Sequence, residues 1–480
     1  MINNIIIRDF IEKEDKTMSK TIPYTLYDLT PSQETMHLMV KYSFKKQIVQ
    51  IPCSITVQSL IDFDLMQKAF DITIERNDSL RNRFTVVDKQ LKQYFVPTFK
   101  MTVPKKFFRN SEEQQAFFDK DAKIPVKFKD CIPFRMYFFR TEGVGSGIYF
   151  NVSHLAMDAL GMMGAIFDLL RVYFALKNGG EIPAPLNSYE EYIQGEFAKL
   201  ADEDRQAKHA AFYEKYWDKE KEPFYAGVHG PEFLEKARKK QKNPNLRVPA
   251  AYNPLYSSCK QLTLHIEPEL SEKIFNFCRA NSIAPESLFM FALRTHCSSI
   301  NYRTDDVFMM VTCSKRATLK EKNMSGCLAQ PIQVRTIIPE DKTFMEGLKE
   351  YTKVRTQLYR HLDYPYIKAR DMSRDVYGYN LIQGPACMMF TFLPLPIDNN
   401  FGFKFDFKLH DLGAYFTPLY TICSPDPKDK GINMTYLYRH KLSTQAQIEK
   451  LHENAIKTIK AGFENPDITV GELLDNCGGM

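Results

Sequence analysis

The chain has 480 residues, 44% hydrophobic and 25% charged, the balance of a globular protein with room for two or three domain-sized units. Its net charge of +6 admits anionic ligands such as phosphorylated cofactors or acidic partners, but falls short of a nucleic-acid footprint. Ten cysteines are scattered with no Cys-x-x-Cys, which argues against a zinc ribbon or a disulfide scaffold and fits reduced thiols in a cytoplasmic protein.

Residues 1–20 read as a flexible tail. Ile5, Ile6 and Ile7 are followed at once by Arg8 and Asp9, so no signal-peptide apolar region forms, and no run approaches membrane-spanning length. Thr30-Pro31-Ser32-Gln33-Glu34 is a helix start, with cap candidates, a proline and an acid in the first turn. Residues 48–57 read as a strand. Over 60–75 the apolar residues Leu60, Phe63, Met66, Phe70 and Ile74 mark one buried face of a helix. A polar turn with Arg76, Arg81 and Arg83 leads to a strand at 84–87. Segments 134–140 and 147–153 are strand runs joined by a Gly-rich stretch, which predicts a hairpin. Leu160, Met163, Phe167, Leu170 and Phe174 then mark a helix that stops at Asn178-Gly179-Gly180, and this stripe reads as core.

Helices are expected over 189–200 and 202–221. Residues 235–255 are basic and then Pro-rich, and read as a solvated linker between a lobe at 21–234 and another at 256–480. The second half restarts with a strand at 260–266, helices to about 281 and over 284–298, and a strand at 306–312 before the polar loop Cys313-Ser314-Lys315-Arg316. A helix over 344–362, strands at 387–393 and 431–439, and a closing amphipathic helix at 443–463 complete it. Each half mixes a sheet with helices, an α/β arrangement without residue-level repeat.

The chemistry concentrates where the strand 147–153 ends. His154 and Asp158 stand four residues apart, at the passage from a strand to an apolar helix. Histidine is the usual general base near neutral pH, because both protonation states are accessible there. A carboxylate four residues on can face that ring or anchor the loop that carries it. The same spacing also arises by chance in a chain with ten histidines.

Several stretches line up, in order, with one family. Thr30-Pro31-Ser32-Gln33-Glu34 looks like an opening Ser-x-x-Gln motif, and the segment from Arg76 to Phe84 is close to Arg-His-x-x-Leu-Arg-x-x-Phe. Ser153-His154-Leu155-Ala156-Met157-Asp158-Ala159 falls on His-His-x-x-x-Asp-Gly. Tyr189-Glu190-Glu191-Tyr192 with Tyr216-Trp217, then Asp305 through Arg316 and Gly326 through Pro331, match later blocks. The chain resembles the chloramphenicol-acetyltransferase-like superfamily of CoA-dependent acyltransferases, and within it the condensation domains and their stand-alone relatives. Ser153 departs from the first His and Ala159 from the Gly, and no Asp-Phe-Gly-Trp-Gly segment is present, which argues against the plant-type branch.

The resemblance implies two chloramphenicol-acetyltransferase-like lobes forming a pseudo-dimer, with a tunnel between them and His154 midway. His154 would take a proton from an acceptor hydroxyl or amine attacking a thioester. Asp158 would be structural, ion-paired to Arg76 or Arg81. Ser153 is a supporting neighbour rather than a nucleophile, since adjacent strand residues point to opposite sides. No cofactor is expected to be bound permanently and no metal is expected. The co-substrate would be acyl-CoA or a phosphopantetheinyl carrier protein, and the partner a small-molecule acceptor. Neither a nucleic acid nor a membrane span is expected, and the chain is expected to be a monomer. Two other readings are a catalytically inactive binding or carrier-docking module and a hydrolase using Ser153 or a cysteine.

Overall fold

The computed structural model describes residues 24–394 and 405–478, so the tail expected at 1–20 lies outside the described residues. In the first half the strands are β1 (Gln50–Val57), β2 (Asn82–Val87), β3 (Gln90–Phe95), β4 (Lys105–Phe108), β5 (Phe134–Thr141) and β6 (Gly145–Ser153). The second half adds β7 (Lys260–Ile266), β8 (Asp306–Ser314), β9 (Ala329–Ile337), β10 (Met389–Phe392), β11 (Phe405–Leu409), β12 (Leu419–Pro425) and β13 (Ile432–Tyr438). They form a five-stranded sheet in the order β11-β1-β6-β5-β4, a six-stranded sheet in the order β7-β13-β12-β10-β8-β9, and the β2-β3 hairpin.

In the first sheet β6 lies between β1 and β5, and all nine of its residues are buried. The hairpin predicted between the two strand runs is present, with β5 and β6 antiparallel. Gly143 at its turn has φ +68°, and a Cβ on Gly145 would lie 2.2 Å from the Val57 carbonyl oxygen, so the turn needs both glycines. One core joins Cys53, Ile55, Ile148, Phe150 and Val152 to the helices Phe63–Arg76 and Ala159–Asn178. A smaller aromatic cluster of Phe108, Phe118, Tyr137, Phe139 and Tyr149 forms a separate core, with Phe118 coming from the helix Ser111–Ala122.

Three sequence expectations change. First, the helix Ala159–Asn178 has 20 residues and contains an 18-residue window of mean hydropathy 1.6, so one run does reach the length and apolarity of a membrane span. It is packed as core, with Met162, Ile166, Leu169, Leu170 and Tyr173 buried. Second, the basic run assigned to the linker 235–255 is largely helical, over Glu232–Gln241. Leu234 is buried on it, and with Tyr213, Trp217, Tyr225 and Ala251 it belongs to the second core. The second core therefore begins well before residue 256. Third, β11 leaves the second half and pairs antiparallel with β1, Cys53 opposite Leu409 through Val57 opposite Phe405. A β1 left at the edge would expose a row of unpaired amides and carbonyls, and the crossing strand satisfies them.

Candidate functional site

β6 carries His154 to the end of the first sheet. Its register pairs Gln50 with Ser153. The next amide, that of His154, donates to the Val49 carbonyl at 2.8 Å, so the backbone is held one residue past the strand. The chain then turns, with the Ala156 amide donating to Ser153 at 2.9 Å, and enters the helix at Ala159. Gln33, whose side chain completes a capping box with Thr30, donates from Nε2 to the Leu155 carbonyl at 3.0 Å. The opening motif is thereby tied to the turn that holds the histidine.

Asp158 caps that helix. Its Oδ1 accepts from the Gly161 amide at 2.7 Å, and its Oδ2 accepts from Arg316 Nη1 at 2.7 Å and from the Leu328 amide at 2.7 Å. Arg316 also donates to Ser314 Oγ at 3.1 Å and to the Gly326 carbonyl at 3.2 Å. Burial alone would raise the Asp158 carboxyl, but the Arg316 charge and the three hydrogen bonds outweigh it and hold the group below the usual carboxylate range. The ion pair joins the helix after β6 to the loop after β8, across the two halves.

His154 makes no such bond to Asp158. The residue as a whole is partly exposed. Nδ1 is buried and has no hydrogen-bond partner among the described residues. Burial lowers its pKa, against the opposing fields of Asp158 and its own backbone, so the ring is neutral at pH 7. A neutral ring can accept a proton.

The ion-pair partner of Asp158 is Arg316, and neither Arg76 nor Arg81 as the resemblance had implied. Arg76 pairs with Asp168 at 2.7 Å and donates to the Ala184 carbonyl, while Arg81 donates to the Glu75 carbonyl at 2.7 Å. Both close the helix Phe63–Arg76 onto its surroundings instead. Ser153 is buried, its Oγ has no partner, and among the described residues no serine or cysteine hydrogen-bonds to His154. Ala159 occupies the first helical position without strain. The close approach falls two residues later, where a Cβ on Gly161 would lie 2.2 Å from the Gly326 oxygen.

A cavity of about 290 Å³ opens between the halves. Thr35 and Met39 of the helix Pro31–Tyr42 line one side, and Met310, Pro331, Gln333 and Tyr252 line others; His154 is not among its lining residues. The metal-ligating types that converge among the described residues are His265, Asp426 and Asp429, whose ligand atoms lie within 4.8 Å of one another by the β12–β13 turn. They are not part of the His154 site.

The Condensation domain family model matches residues 24–475. Surfactin synthase subunit 1 of Bacillus subtilis (strain 168) is 22% identical over 469 residues, covering 94% of this chain and 12% of that protein. Bacitracin synthase 3 of Bacillus licheniformis is 21% identical over 490 residues, covering 97% of this chain and 7% of that protein. The chain thus spans less than a fifth of these relatives. The first condensation domain of the calcium-dependent antibiotic synthetase, in complex with a substrate analogue, superposes with a TM-score of 0.75 at 16% identity, covering 93% of this chain and 98% of that one. The X-domain from teicoplanin biosynthesis, in complex with OxyB, gives 0.69 at 16% identity over 95% and 97% of the two chains. With the family model spanning nearly the whole chain, and two lobes meeting at the Asp158–Arg316 pair, the protein belongs to the condensation-domain family of the chloramphenicol-acetyltransferase-like superfamily.

Proposed function

We propose that the protein is an acyltransferase. It moves an acyl group from a thioester, on CoA or on a phosphopantetheinyl carrier protein, to a hydroxyl or amine. The observation that supports this most is His154 itself, a neutral ring on a partly exposed residue whose loop is fixed from both halves. The acceptor O–H or N–H attacks the thioester carbonyl, a C–O or C–N bond forms and the C–S bond breaks. His154 takes the acceptor proton and returns it to the departing thiolate. Such base catalysis supplies about 10²–10⁴-fold, and alignment of the two substrates must supply the rest.

His154→Ala, assayed with acyl-CoA and acyl-carrier donors against a panel of alcohols and amines, is expected to fold normally and lose transfer. Transfer unchanged in that variant would exclude His154 as the base. A second reading is a binding module without turnover. Ser153 stands where the family pattern has a histidine, and the fold also occurs in an X-domain solved in complex with OxyB. Capture of a carrier protein without product, unaffected by His154→Ala, would favour it.

A further inference from the structure

β7 is an edge strand, and near its end His265 stands directly opposite Asn433 of β13. That pairing fixes the ring. Asn433 Nδ2 donates to Asp426 Oδ2 at 2.8 Å, so its Oδ1 is the atom that faces His265 Nδ1, also at 2.8 Å. An oxygen there accepts, and Nδ1 therefore carries the proton, which leaves the neutral ring a lone pair on Nε2. Nε2 lies 3.0 Å from Asp429 Oδ2, yet it has no hydrogen-bond partner, because an N–H on it would not point at that oxygen.

The two acids are held as firmly. The turn from β12 to β13 closes on itself, with the Asp426 amide donating to the Gly431 carbonyl at 2.8 Å. Asp426 Oδ1 accepts from the Lys428 amide at 2.9 Å, and Asp429 Oδ1 from the Gly431 amide at 2.7 Å. One ligand atom each from His265, Asp426 and Asp429 lies within 4.8 Å of the other two. A Cβ on Gly431 would lie 2.5 Å from Nε2, and Gly431 is not left-handed, so its missing side chain serves the space beside the ring rather than the backbone. The Asp429 side chain is 44% exposed, which opens the cluster to solvent. The Lys428 ammonium is drawn off to Asp406 at 2.9 Å.

We infer that His265, Asp426 and Asp429 bind a divalent transition cation of the zinc class, with water completing the shell. One imidazole nitrogen and two carboxylate oxygens suit zinc, whereas calcium and magnesium take oxygens alone. Ligands about 2.1 Å from one zinc stand about 3.4 Å apart at the tetrahedral angle, so the 3.0 Å between Nε2 and Oδ2 needs only a small opening. Asn433 supports the site from behind, since holding Nδ1–H keeps Nε2 free for the metal. The ion ties β7 to the β12–β13 turn. Lys428 of that turn pairs with Asp406 of β11, so the ion braces the start of the strand that crosses to the first sheet.

Titration calorimetry of zinc and calcium chlorides into the tag-free, EDTA-stripped full chain at pH 8 tests this. Zinc is expected to fill one site roughly tenfold or more tightly than calcium does. His265→Ala and Asp429→Asn each abolish that site, and His440→Ala, at an exposed position, leaves it intact. Zinc also raises the urea midpoint of the wild type but not that of Asp429→Asn. Asp429→Asn decides the matter where His265→Ala fails to fold. No zinc binding leaves the cluster an ordinary ion pair and overturns the inference, as does calcium binding as tight as zinc. Zinc uptake unchanged in a folded Asp429→Asn is an adventitious ion only, and overturns it too. The inference does not rest on the acyl-transfer reading: His154→Ala is expected to keep the zinc isotherm, whatever it does to transfer, and a zinc site lost in that folded variant overturns the assignment.

Discussion

Three donors engage the two carboxylate oxygens of Asp158, and His154 is not one of them. Asp158→Asn removes the negative partner of an Arg316 side chain that is 4% exposed, and breaking one side of such a buried pair costs about 3–5 kcal/mol. Urea unfolding should therefore show a loss of that size, with transfer falling in parallel. Arg316→Met should do the same, and the double variant should cost clearly less than the sum. Arg76→Ala should leave this coupling untouched, because Arg76 acts on Asp168. An Asp158→Asn protein with an unchanged urea midpoint but no activity would instead make Asp158 a chemical participant. The histidine and aspartate are legible because both sit on one short segment with fixed spacing. Arg316 lies 158 residues further on, and only the folded chain brings it to Asp158. Arg76 and Arg81 matched the family pattern by position, but a match in one motif does not say which acid a guanidinium reaches.

Between elements, the tightest contact at the site is the first turn of the helix Ala159–Asn178 against the loop around Gly326. Gly161→Ala would drive a methyl group to 2.2 Å from the Gly326 oxygen, so it should destabilise by about 1–3 kcal/mol and displace the Asp158 cap. Gly164→Ala in the same helix has its nearest neighbour at 3.7 Å, and better helix propensity should stabilise it by up to about 1 kcal/mol. Thermal unfolding of the two variants separates crowding from propensity; a Gly161→Ala protein as stable as the parent would show that the loop can retreat. The main strands and helices were readable because their apolar runs are long and buried, as in β6 and β8. The pairing of β2 with β3 was not, since its two-residue turn uses Asp88 and Lys89 at φ 50° and 63° rather than an Asn-Gly signal. Nor was the crossing of β11, five residues whose partner strand lies in the other half.

Across the whole molecule, several buried histidines make stability depend on pH. Burial pushes His229, His296 and His452 down to about 4, and lowers His154 and His410 as well. His296 shows the cause: its Nδ1 meets the Asn454 amide at 3.0 Å, and its Nε2 has no partner to receive a second proton's charge. In the unfolded chain these rings titrate near 6.5, so the unfolded state binds protons first as the pH falls. Their stabilising contribution is complete above about pH 6.5 and is lost between there and about pH 4, by roughly 3 kcal/mol for a ring as buried as His296. His265 opposes this weakly: burial lowers it, but Asn433, Asp429 and neighbouring acids raise it above its ordinary value. The single tryptophan, Trp217, stacks on Phe308 in the second core, so its fluorescence reports that half, whereas far-UV circular dichroism reports both. Urea midpoints by the two probes should be level above pH 7 and fall together from pH 6.5 to 4.5, because β11 and the Asp158–Arg316 pair bind the halves into one cooperative unit. His296→Asn should flatten the slope. A midpoint constant down to pH 4.5 would contradict the histidine argument, and separated transitions would show that the crossing strand does not couple the two cores.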